Sequence, residues 1–214
     1  MTIDNFKSFL KENPVIPVAT LSGDEDAVHI SRLLKEGGIP VIEVTLRTPE
    51  AYNCIRTICR EVPGMTVGAG SILSLKELDM ALNAGASFCV APNLNEKVLN
   101  HAISMKVPFI PGIATPSELG YALEKTDIIK IFPIAQLGGP AYIKAASAPF
   151  RKLSFSLIPT GGITTENLKH YLDTEPVIAC GMCYMVESSL IEKKEWSILE
   201  SRIKETRSII SEKS

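Results

Sequence analysis

The stretch Ile128-Ile129-Lys130-Ile131-Phe132 is a run of β-forming residues with one lysine in its middle. Apolar residues on both faces are typical of a strand that is buried on both sides, as in a parallel sheet. Lysine is almost never fully buried without a partner, and burial disfavours its charged form. A neutral amine is a nucleophile that can form a Schiff base with a carbonyl compound. From this stretch alone, Lys130 is either a nucleophile or one half of a buried ion pair.

Strand-like and helix-like segments alternate on both sides of this stretch, from Pro14 onward. Repeated strand–helix units predict a parallel sheet with right-handed crossovers, and about eight of them favour a closed α/β fold, the (β/α)8 barrel. The amphipathic segment at the start of the chain predicts a helix that covers the N-terminal mouth of the barrel. We therefore expect one barrel domain comprising residues 1–214, with predicted strands at Val15–Leu21, Pro40–Leu46, Thr66–Ala69, Ser87–Ala91, Pro108–Ile110, Ile128–Phe132, Ser154–Ile158 and Val177–Cys180.

Residues that cap helices support this alternation. Thr48-Pro49-Glu50 combines a capping hydroxyl with a proline at the first helical position. Ser74–Glu77 and Thr115–Glu118 have the spacing of capping boxes, in which a hydroxyl and a glutamate each accept a hydrogen bond from a backbone amide. Asn95 and Thr164 are further candidate N-caps. These positions predict helices in the intervals between the predicted strands.

The composition excludes several classes of protein. The 214 residues carry a formal net charge of −2, so the overall charge attracts neither nucleic acid nor an acidic membrane. The sequence contains no apolar stretch long enough to span a membrane and no signal peptide at its start. Its 5 cysteines are odd in number in a chain that is not small, so a disulfide framework is not expected. We expect a soluble, cytoplasmic protein.

Polar residues alternate along the second predicted strand. Because side chains on a strand alternate with period two, Glu43, Thr45 and Arg47 share one face, and the apolar residues between them share the other. The apolar face is expected to pack on helices, which directs the polar face into the barrel. An arginine can bind a carboxylate with two parallel hydrogen bonds, and a glutamate in a restricted pocket can transfer protons. This combination suits a keto-acid site; the alternative is an internal salt bridge between Glu43 and Arg47.

A glycine-containing loop, Thr160-Gly161-Gly162, follows the predicted seventh strand and precedes a helix. Glycines allow backbone amides to approach an anion, and the helix N-terminus adds a favourable dipole. Phosphate sites in (β/α)8 barrels use the loops after strands seven and eight, which makes Cys180–Cys183 a second contributor. A single C-x-x-C pair does not indicate a zinc site, and no cluster has metal-ligand spacing, so we expect no metal.

These residues resemble one known family, the 2-keto-3-deoxy-6-phosphogluconate (KDPG) aldolases, which also act on 4-hydroxy-2-oxoglutarate. The resemblance extends over nearly the whole chain, from Pro14 to Gly181. The segments that carry it are Ile42–Pro49, Val67–Ser71, Ile110–Glu118, Lys130–Pro133 and Pro159–Ile163.

The resemblance implies a class I aldolase, a carbon–carbon lyase that uses neither a metal nor another cofactor. It implies that Lys130 forms the Schiff base, that Glu43 is the general acid and base, and that Arg47 anchors the carboxylate. The implied substrate is a 2-keto-3-deoxy acid, with pyruvate as one product, and the family typically forms homotrimers. The other residues that the resemblance places in the substrate site are Ser71, Pro92, Phe132, Thr160, Gly161, Gly162, Gly181 and Cys183.

The end of the eighth predicted strand departs from the family pattern. The family commonly has Gly-Gly-Ser-Trp there, with the serine on the phosphate, whereas this chain has Gly181-Met182-Cys183-Tyr184. A thiol is a poorer hydrogen-bond donor than a hydroxyl, so the departure predicts a weaker preference for the 6-phosphate. Asn93 also stands where the family often has glycine.

Three alternatives follow from the same residues. One is a related aldolase of 2-keto-3-deoxy sugar acids with a weak phosphate preference. Another is a different phosphate-binding barrel, such as a sugar-phosphate epimerase or a thiamine-phosphate synthase, which needs other groups at its strand ends. The third is a keto-acid-binding protein that retains the barrel and has no turnover.

Overall fold

The computed structural model describes residues 1–212 and shows a barrel of parallel strands surrounded by helices. Hydrogen-bonded neighbours are parallel throughout, as repeated strand–helix units require. The strands are β1 Val15–Ala19, β2 Val41–Thr45, β3 Thr66–Gly70, β4 Phe88–Val90, β5 Phe109–Ile110, β6 Gly112–Ile113, β7 Ile128–Ile131, β8 Ser156–Pro159 and β9 Cys180–Met182.

Two sheets make up the barrel wall. A 6-stranded sheet has the order β5-β4-β3-β2-β1-β9, and a 3-stranded sheet has the order β6-β7-β8. Pro111 separates β5 from β6, but its carbonyl accepts a hydrogen bond from the Lys130 amide at 2.9 Å, which joins the two sheets on that side. On the other side a bridge between Thr160 and Gly181 joins β8 to β9. Counting β5 and β6 as one interrupted strand gives the expected (β/α)8 barrel.

The helices pack around this wall, and several begin at the predicted caps. Ser74 accepts a hydrogen bond from the Glu77 amide, and Thr115 and Glu118 form a capping box. The α-helices are α1 Ile3–Glu12, α2 Asp24–Glu36, α3 Ala51–Glu61, α4 Leu75–Asn83, α5 Glu96–Ser104, α6 Pro116–Leu123, α7 Ile134–Leu137, α8 Gly139–Ser147, α9 Thr165–Leu172, α10 Ser188–Glu192 and α11 Trp196–Ser211.

Helix α1 closes the N-terminal end of the barrel, as the sequence predicts. Phe6 of α1 is fully buried, and its ring stacks on Phe88 of β4 with centroids 4.6 Å apart. The ring of Phe88 in turn fills the space in front of Gly68, where a Cβ would lie 2.2 Å from it. The floor of the barrel is therefore apolar and filled at these residues, which leaves the opposite end for a substrate.

Three sequence predictions need correction. The eighth strand is Cys180–Met182 and not Val177–Cys180, because the ladder with β1 begins at Cys180 and Val177 makes only an isolated bridge to Leu157. The fifth strand continues past Pro111, which has no amide proton for the ladder, as β6. Thr48 does not cap α3; the helix begins at Ala51, and the Thr48 hydroxyl donates to the Leu21 carbonyl.

The structure shows no disulfide within residues 1–212. In the same range, no helix combines the length and the apolar character that crossing a bilayer requires. The prediction of a single domain stays a prediction, and its last two residues lie outside the described part of the chain.

Candidate active site

An amine and a carboxyl group face each other inside the barrel. Lys130 lies in the middle of β7 and Glu43 in the middle of β2, with 7% and 3% of their surfaces exposed. The Lys130 Nζ lies 4.0 Å from the Glu43 Oε1, which is longer than a hydrogen bond. The barrel therefore holds an amine and a carboxyl group side by side, with neither satisfying the other.

Glycine at the end of β3 makes room for the carboxyl group. A Cβ on Gly70 would lie 2.1 Å from the Glu43 Oε1 and 2.8 Å from its Cδ. Gly70 pairs with Thr45, two residues beyond Glu43, so the glutamate side chain leans toward the C-terminal end of the barrel. Any larger residue at position 70 would displace the carboxyl group from its place beside Lys130.

The surroundings of Glu43 favour its protonated form. Burial raises the pKa of the Glu43 carboxyl above its ordinary value, and the positive charges of Lys130 and Arg47 offset only part of that effect. Within residues 1–212 the Oε1 has no hydrogen-bond partner. A buried carboxyl group with a raised pKa and a free oxygen can serve as a proton donor and, once ionised, as a proton acceptor.

Arg47 lies just beyond the end of β2, at the mouth of the barrel. Its side chain is exposed and makes no hydrogen bond or ion pair with another described residue. The salt bridge to Glu43 that the sequence left open is therefore not formed. A guanidinium at the open end of the barrel, without a partner among residues 1–212, is available to a carboxylate.

Phe132 and Pro92 form part of the wall beside the amine. The Phe132 ring centroid lies 5.4 Å from the Lys130 Nζ, within the range of a cation–π contact. Pro92 packs against Gly112, where a Cβ would lie 2.4 Å from the proline carbonyl carbon, and Gly112 pairs directly with Lys130. Glycine at position 112 therefore lets the loop after β4 approach the amine.

The loop after β8 has backbone conformations that require glycine. Gly161 and Gly162 have φ values of 103° and 74°, and a Cβ on Gly162 would lie 2.5 Å from the Ala135 Cβ. Thr160 is buried at the end of β8, and its carbonyl accepts a hydrogen bond from the Ile134 amide at 2.9 Å. The loop leads into α9, whose N-terminus directs its dipole toward the same space.

The end of β9 lies beside this loop. A Cβ on Gly181 would lie 2.4 Å from the Thr160 Oγ1, so glycine is required for the two strands to approach. The Cys183 side chain is exposed, but desolvation by neighbouring groups and the Glu43 carboxylate raise the pKa of its thiol, while Lys130 and Arg47 act in the opposite direction. The thiol thus lies within electrostatic reach of the three charged groups of the barrel.

Ser71 follows β3 with a positive φ of 64° and a half-buried side chain. Of the residues predicted for the site, Lys130, Glu43 and Gly181 lie within strands, and the others lie in the segments that directly follow the strands. The three histidines lie instead in α2, α5 and α9, and His101 pairs with Asp79 at a distance of 3.0 Å.

The sequence predictions missed two features of the site. One is the hydrogen bond between the hydroxyls of Thr20 and Thr45, 2.9 Å apart at the ends of β1 and β2. The other is the clearance that Gly70 and Gly112 provide for Glu43 and for the loop after β4. Both features depend on strand register, which brings residues distant in sequence to the same level of the barrel.

Comparison with known proteins identifies the family. The profile described as KDPG and KHG aldolase matches residues 6–201. This chain belongs to that family. Among its aldolase relatives, the 2-dehydro-3-deoxy-phosphogluconate aldolase of Treponema pallidum (strain Nichols) is 39% identical over 197 residues, which cover 92% of this chain and 93% of the relative.

Solved structures of family members have the same fold. The 2-keto-3-deoxy-6-phosphogluconate aldolase of Zymomonas mobilis ZM4, crystallised with 3-phosphoglycerate, has a TM-score of 0.87 at 33% identity and covers 97% of both chains. The KDPG aldolase of Legionella pneumophila, with pyruvate captured as a covalent carbinolamine, has a TM-score of 0.87 at 32% identity over 92% of this chain and 96% of that one. Family membership rules out the epimerase and thiamine-phosphate synthase alternatives.

Proposed function

We propose that this chain is a class I aldolase that cleaves 2-keto-3-deoxy-6-phosphogluconate, 4-hydroxy-2-oxoglutarate or both, with Lys130 as the Schiff-base lysine. The products are pyruvate and an aldehyde, which is glyceraldehyde 3-phosphate or glyoxylate respectively. The observation that carries the proposal is the buried Lys130 amine 4.0 Å from the buried Glu43 carboxyl group. The covalent carbinolamine captured in the Legionella pneumophila relative supports the same chemistry.

Schiff-base formation uses all three charged residues. Arg47 binds the substrate carboxylate and directs the adjacent keto carbon toward the Lys130 amine. Attack by the unprotonated amine gives a carbinolamine. Glu43 then donates its proton to the carbinolamine hydroxyl, which leaves as water, and a protonated imine and the Glu43 carboxylate remain.

The same carboxylate then drives cleavage. It accepts the proton of the C4 hydroxyl, directly or through water; the C3–C4 electron pair moves toward the imine, and the aldehyde departs. Glu43 returns that proton to C3 of the resulting enamine, and hydrolysis of the imine releases pyruvate and the free amine. One group performs every proton transfer, which explains why a raised pKa at Glu43 suits the reaction.

The phosphate end of the substrate is assigned to the loop Thr160–Gly162 together with Gly181 and Cys183. The positive φ values of Gly161 and Gly162 and the adjacent N-terminus of α9 support an anion at this position. Ser71, Pro92 and Phe132 complete the pocket around the pyruvyl portion. Cys183 gives a weaker hydrogen bond than a hydroxyl, so we propose a reduced preference for phosphorylated substrates.

Borohydride trapping tests the central assignment. Wild-type protein incubated with pyruvate and borohydride is expected to gain the mass of a reduced pyruvyl adduct, and peptide mapping is expected to place it on Lys130. Lys144→Ala, which changes an exposed lysine of α8, is the matched control and should still be trapped. Trapping on another lysine would refute the role of Lys130, and pyruvate uptake without aldehyde turnover would favour a non-catalytic keto-acid binder.

The homotrimer and the cytoplasmic location stay predictions of the sequence. The absence of a metal or other cofactor also stays a prediction, which turnover in the presence of a strong chelator would test.

A further inference from the structure

Two threonine hydroxyls are bonded to each other at the mouth of the barrel. The Oγ1 atoms of Thr20 and Thr45 lie 2.9 Å apart. Thr45 is the last residue of β2, on the same face as Glu43, and only 2% of its surface is exposed. Thr20 directly follows β1 and is half-buried. The pair therefore lies inside the barrel, one layer beyond Glu43 toward its open end.

The pair has an unused hydrogen-bond donor. Two hydroxyls carry two protons, and the bond between them uses one. Within residues 1–212 the second proton has no acceptor among the hydrogen bonds of Thr20 and Thr45. Hydroxyls in such positions are satisfied by protein, by ordered water or by a ligand, and Thr20, the half-buried member of the pair, can offer the remaining proton to a molecule at the barrel mouth.

A purely structural role does not account for the pair. The ends of β1 and β2 are already joined one step further along by the Thr48 hydroxyl, which donates to the Leu21 carbonyl. The two strands also pair directly, with Val18 opposite Glu43 and Ala19 opposite Val44. Holding the strand ends together therefore does not require two facing hydroxyls in the interior.

Strand order places the pair between the two ends of the substrate. β1 has β2 as one neighbour and β9 as the other. Arg47, which we assign to the carboxylate, follows β2, and Cys183, which we assign to the phosphate end, follows β9. The end of β1 thus faces the middle of a substrate that extends from Arg47 to Cys183. A sugar acid carries its hydroxyl groups in this middle part.

We propose that Thr20 and Thr45 form a subsite for a hydroxyl group on the aldehyde-derived part of the substrate. This proposal rests on the aldolase function proposed above. When the two side chains are bonded to each other, they still offer one hydrogen-bond donor and free lone pairs. A neutral hydroxyl matches them, because it is both a donor and an acceptor. The subsite makes the enzyme favour substrates with a hydroxyl at C5 over 4-hydroxy-2-oxoglutarate, which has a carboxylate carbon at that position.

Substitution of Thr20 tests the subsite. Thr20→Val keeps the shape and removes the hydroxyl, and Thr20→Ser restores the hydroxyl. We expect Thr20→Val to lower kcat/KM for 2-keto-3-deoxy-6-phosphogluconate relative to 4-hydroxy-2-oxoglutarate by about 3- to 10-fold, the range of one neutral hydrogen bond. Thr20→Ser should return the ratio toward that of the wild type. Thr57→Val in α3, which removes a half-buried hydroxyl from the outer surface, is the matched control.

The double variant adds a second readout. Because the two hydroxyls act as one unit, Thr20→Val with Thr45→Val should change the ratio little more than either substitution alone. An equal loss of kcat/KM for both substrates would show that the pair only supports the strand ends, and an unchanged ratio would show that it contacts no substrate hydroxyl. Either result overturns the subsite. If pyruvate trapping on Lys130 succeeds in the same preparation, the proposed aldolase function survives that outcome.

Discussion

The two ends of the barrel are built on opposite principles. At the floor, the rings of Phe6 and Phe88 stack 4.6 Å apart and are fully buried. At the mouth, Glu43, Thr45 and Lys130 are almost as deeply buried but polar, and the Glu43 Oε1 has no hydrogen-bond partner within residues 1–212. Burying an unsatisfied polar group destabilises the folded chain, whereas packing apolar rings stabilises it. The difference indicates that the floor stabilises the folded chain, whereas the mouth lowers its stability and holds the reactive groups.

Glycines show the same division. At the floor, the space in front of Gly68 is filled by the ring of Phe88. Nearer the mouth, the Glu43 carboxyl group fills the space where a side chain at position 70 would lie. The loop at Pro92 fills the corresponding space at position 112, so glycine at both positions makes room for residues of the site. The same residue type thus supports packing at one end and a reactive arrangement at the other.

The largest expected effect is on turnover at the mouth. Lys130→Met should abolish aldol cleavage, a loss of at least about 10⁴-fold, because no other residue assigned to the site supplies an amine for covalent catalysis. The free energy of unfolding should stay the same or increase, since methionine in an apolar barrel replaces a buried amine of similar length. Coupled assays of pyruvate release and denaturant titration measure the two quantities. A variant that retains activity, or that unfolds, would contradict the division between the two ends.

The next effect is on stability at the floor. Phe6→Ala should lower the free energy of unfolding by about 3–5 kcal/mol, the usual range for removing a buried phenylalanine ring from a core. Turnover per folded molecule should remain close to that of the wild type, because the ring lies at the far end of the barrel from Lys130. Chemical denaturation and active-site titration by pyruvate trapping measure stability and folded fraction separately. Phe9→Ala, which changes a partly buried ring of the same helix, serves as the control and should lose less stability.

The sequence predicted the residues of the mouth better than their arrangement. Lys130 stood out as a charge inside an apolar strand, and period-two alternation placed Glu43 inside the barrel. Each of these patterns is local, because it is visible within a single strand segment. The contact between Thr20 and Thr45 and the clearance at Gly70 depend on strand register, which local patterns do not specify.

The errors in strand position have a similar origin. Val177–Cys180 has the composition of a strand, but the ladder with β1 begins only at Cys180, opposite Val15. Pro111 divides a strand because it lacks an amide proton, while the chain on either side pairs with different neighbours. Composition predicts that a segment is extended, and the partner strands decide where its ladder begins and ends.

A third test separates the cost of the buried carboxyl group from its function. Burial raises the pKa of Glu43 in the folded state above its ordinary value of 4.5, so the folded chain keeps a proton that the unfolded chain releases. The contribution of Glu43 to the free energy of unfolding therefore falls as the pH rises from its pKa in the unfolded chain through its higher pKa in the folded chain. Glu43→Gln does not titrate, so it should be more stable than the wild type above that window and should have the higher Tm there.

Thermal unfolding of both proteins between pH 5 and pH 8 measures this difference, which should be larger at pH 8. Turnover of Glu43→Gln should fall by about 10²- to 10⁴-fold, the usual contribution of a general acid and base. Glu36→Gln, on the exposed face of α2, is the control and should leave the pH dependence of stability as it is in the wild type. If the difference in Tm between Glu43→Gln and the wild type does not vary with pH, the pKa of Glu43 is not raised in the folded chain.

The smallest expected effect concerns Cys183, where the mouth differs from the family pattern. Cys183→Ser replaces a weak donor with a hydroxyl at the end of β9, beside the loop that we assign to phosphate. We expect kcat/KM for 2-keto-3-deoxy-6-phosphogluconate to rise by about 2- to 5-fold relative to its unphosphorylated analogue, in the range of one modest hydrogen bond. Cys59→Ser, on the exposed side of α3, should leave the ratio unchanged. An unchanged ratio in Cys183→Ser would show that this side chain does not face the anion, and the phosphate site would then consist of backbone amides of the glycine loop alone.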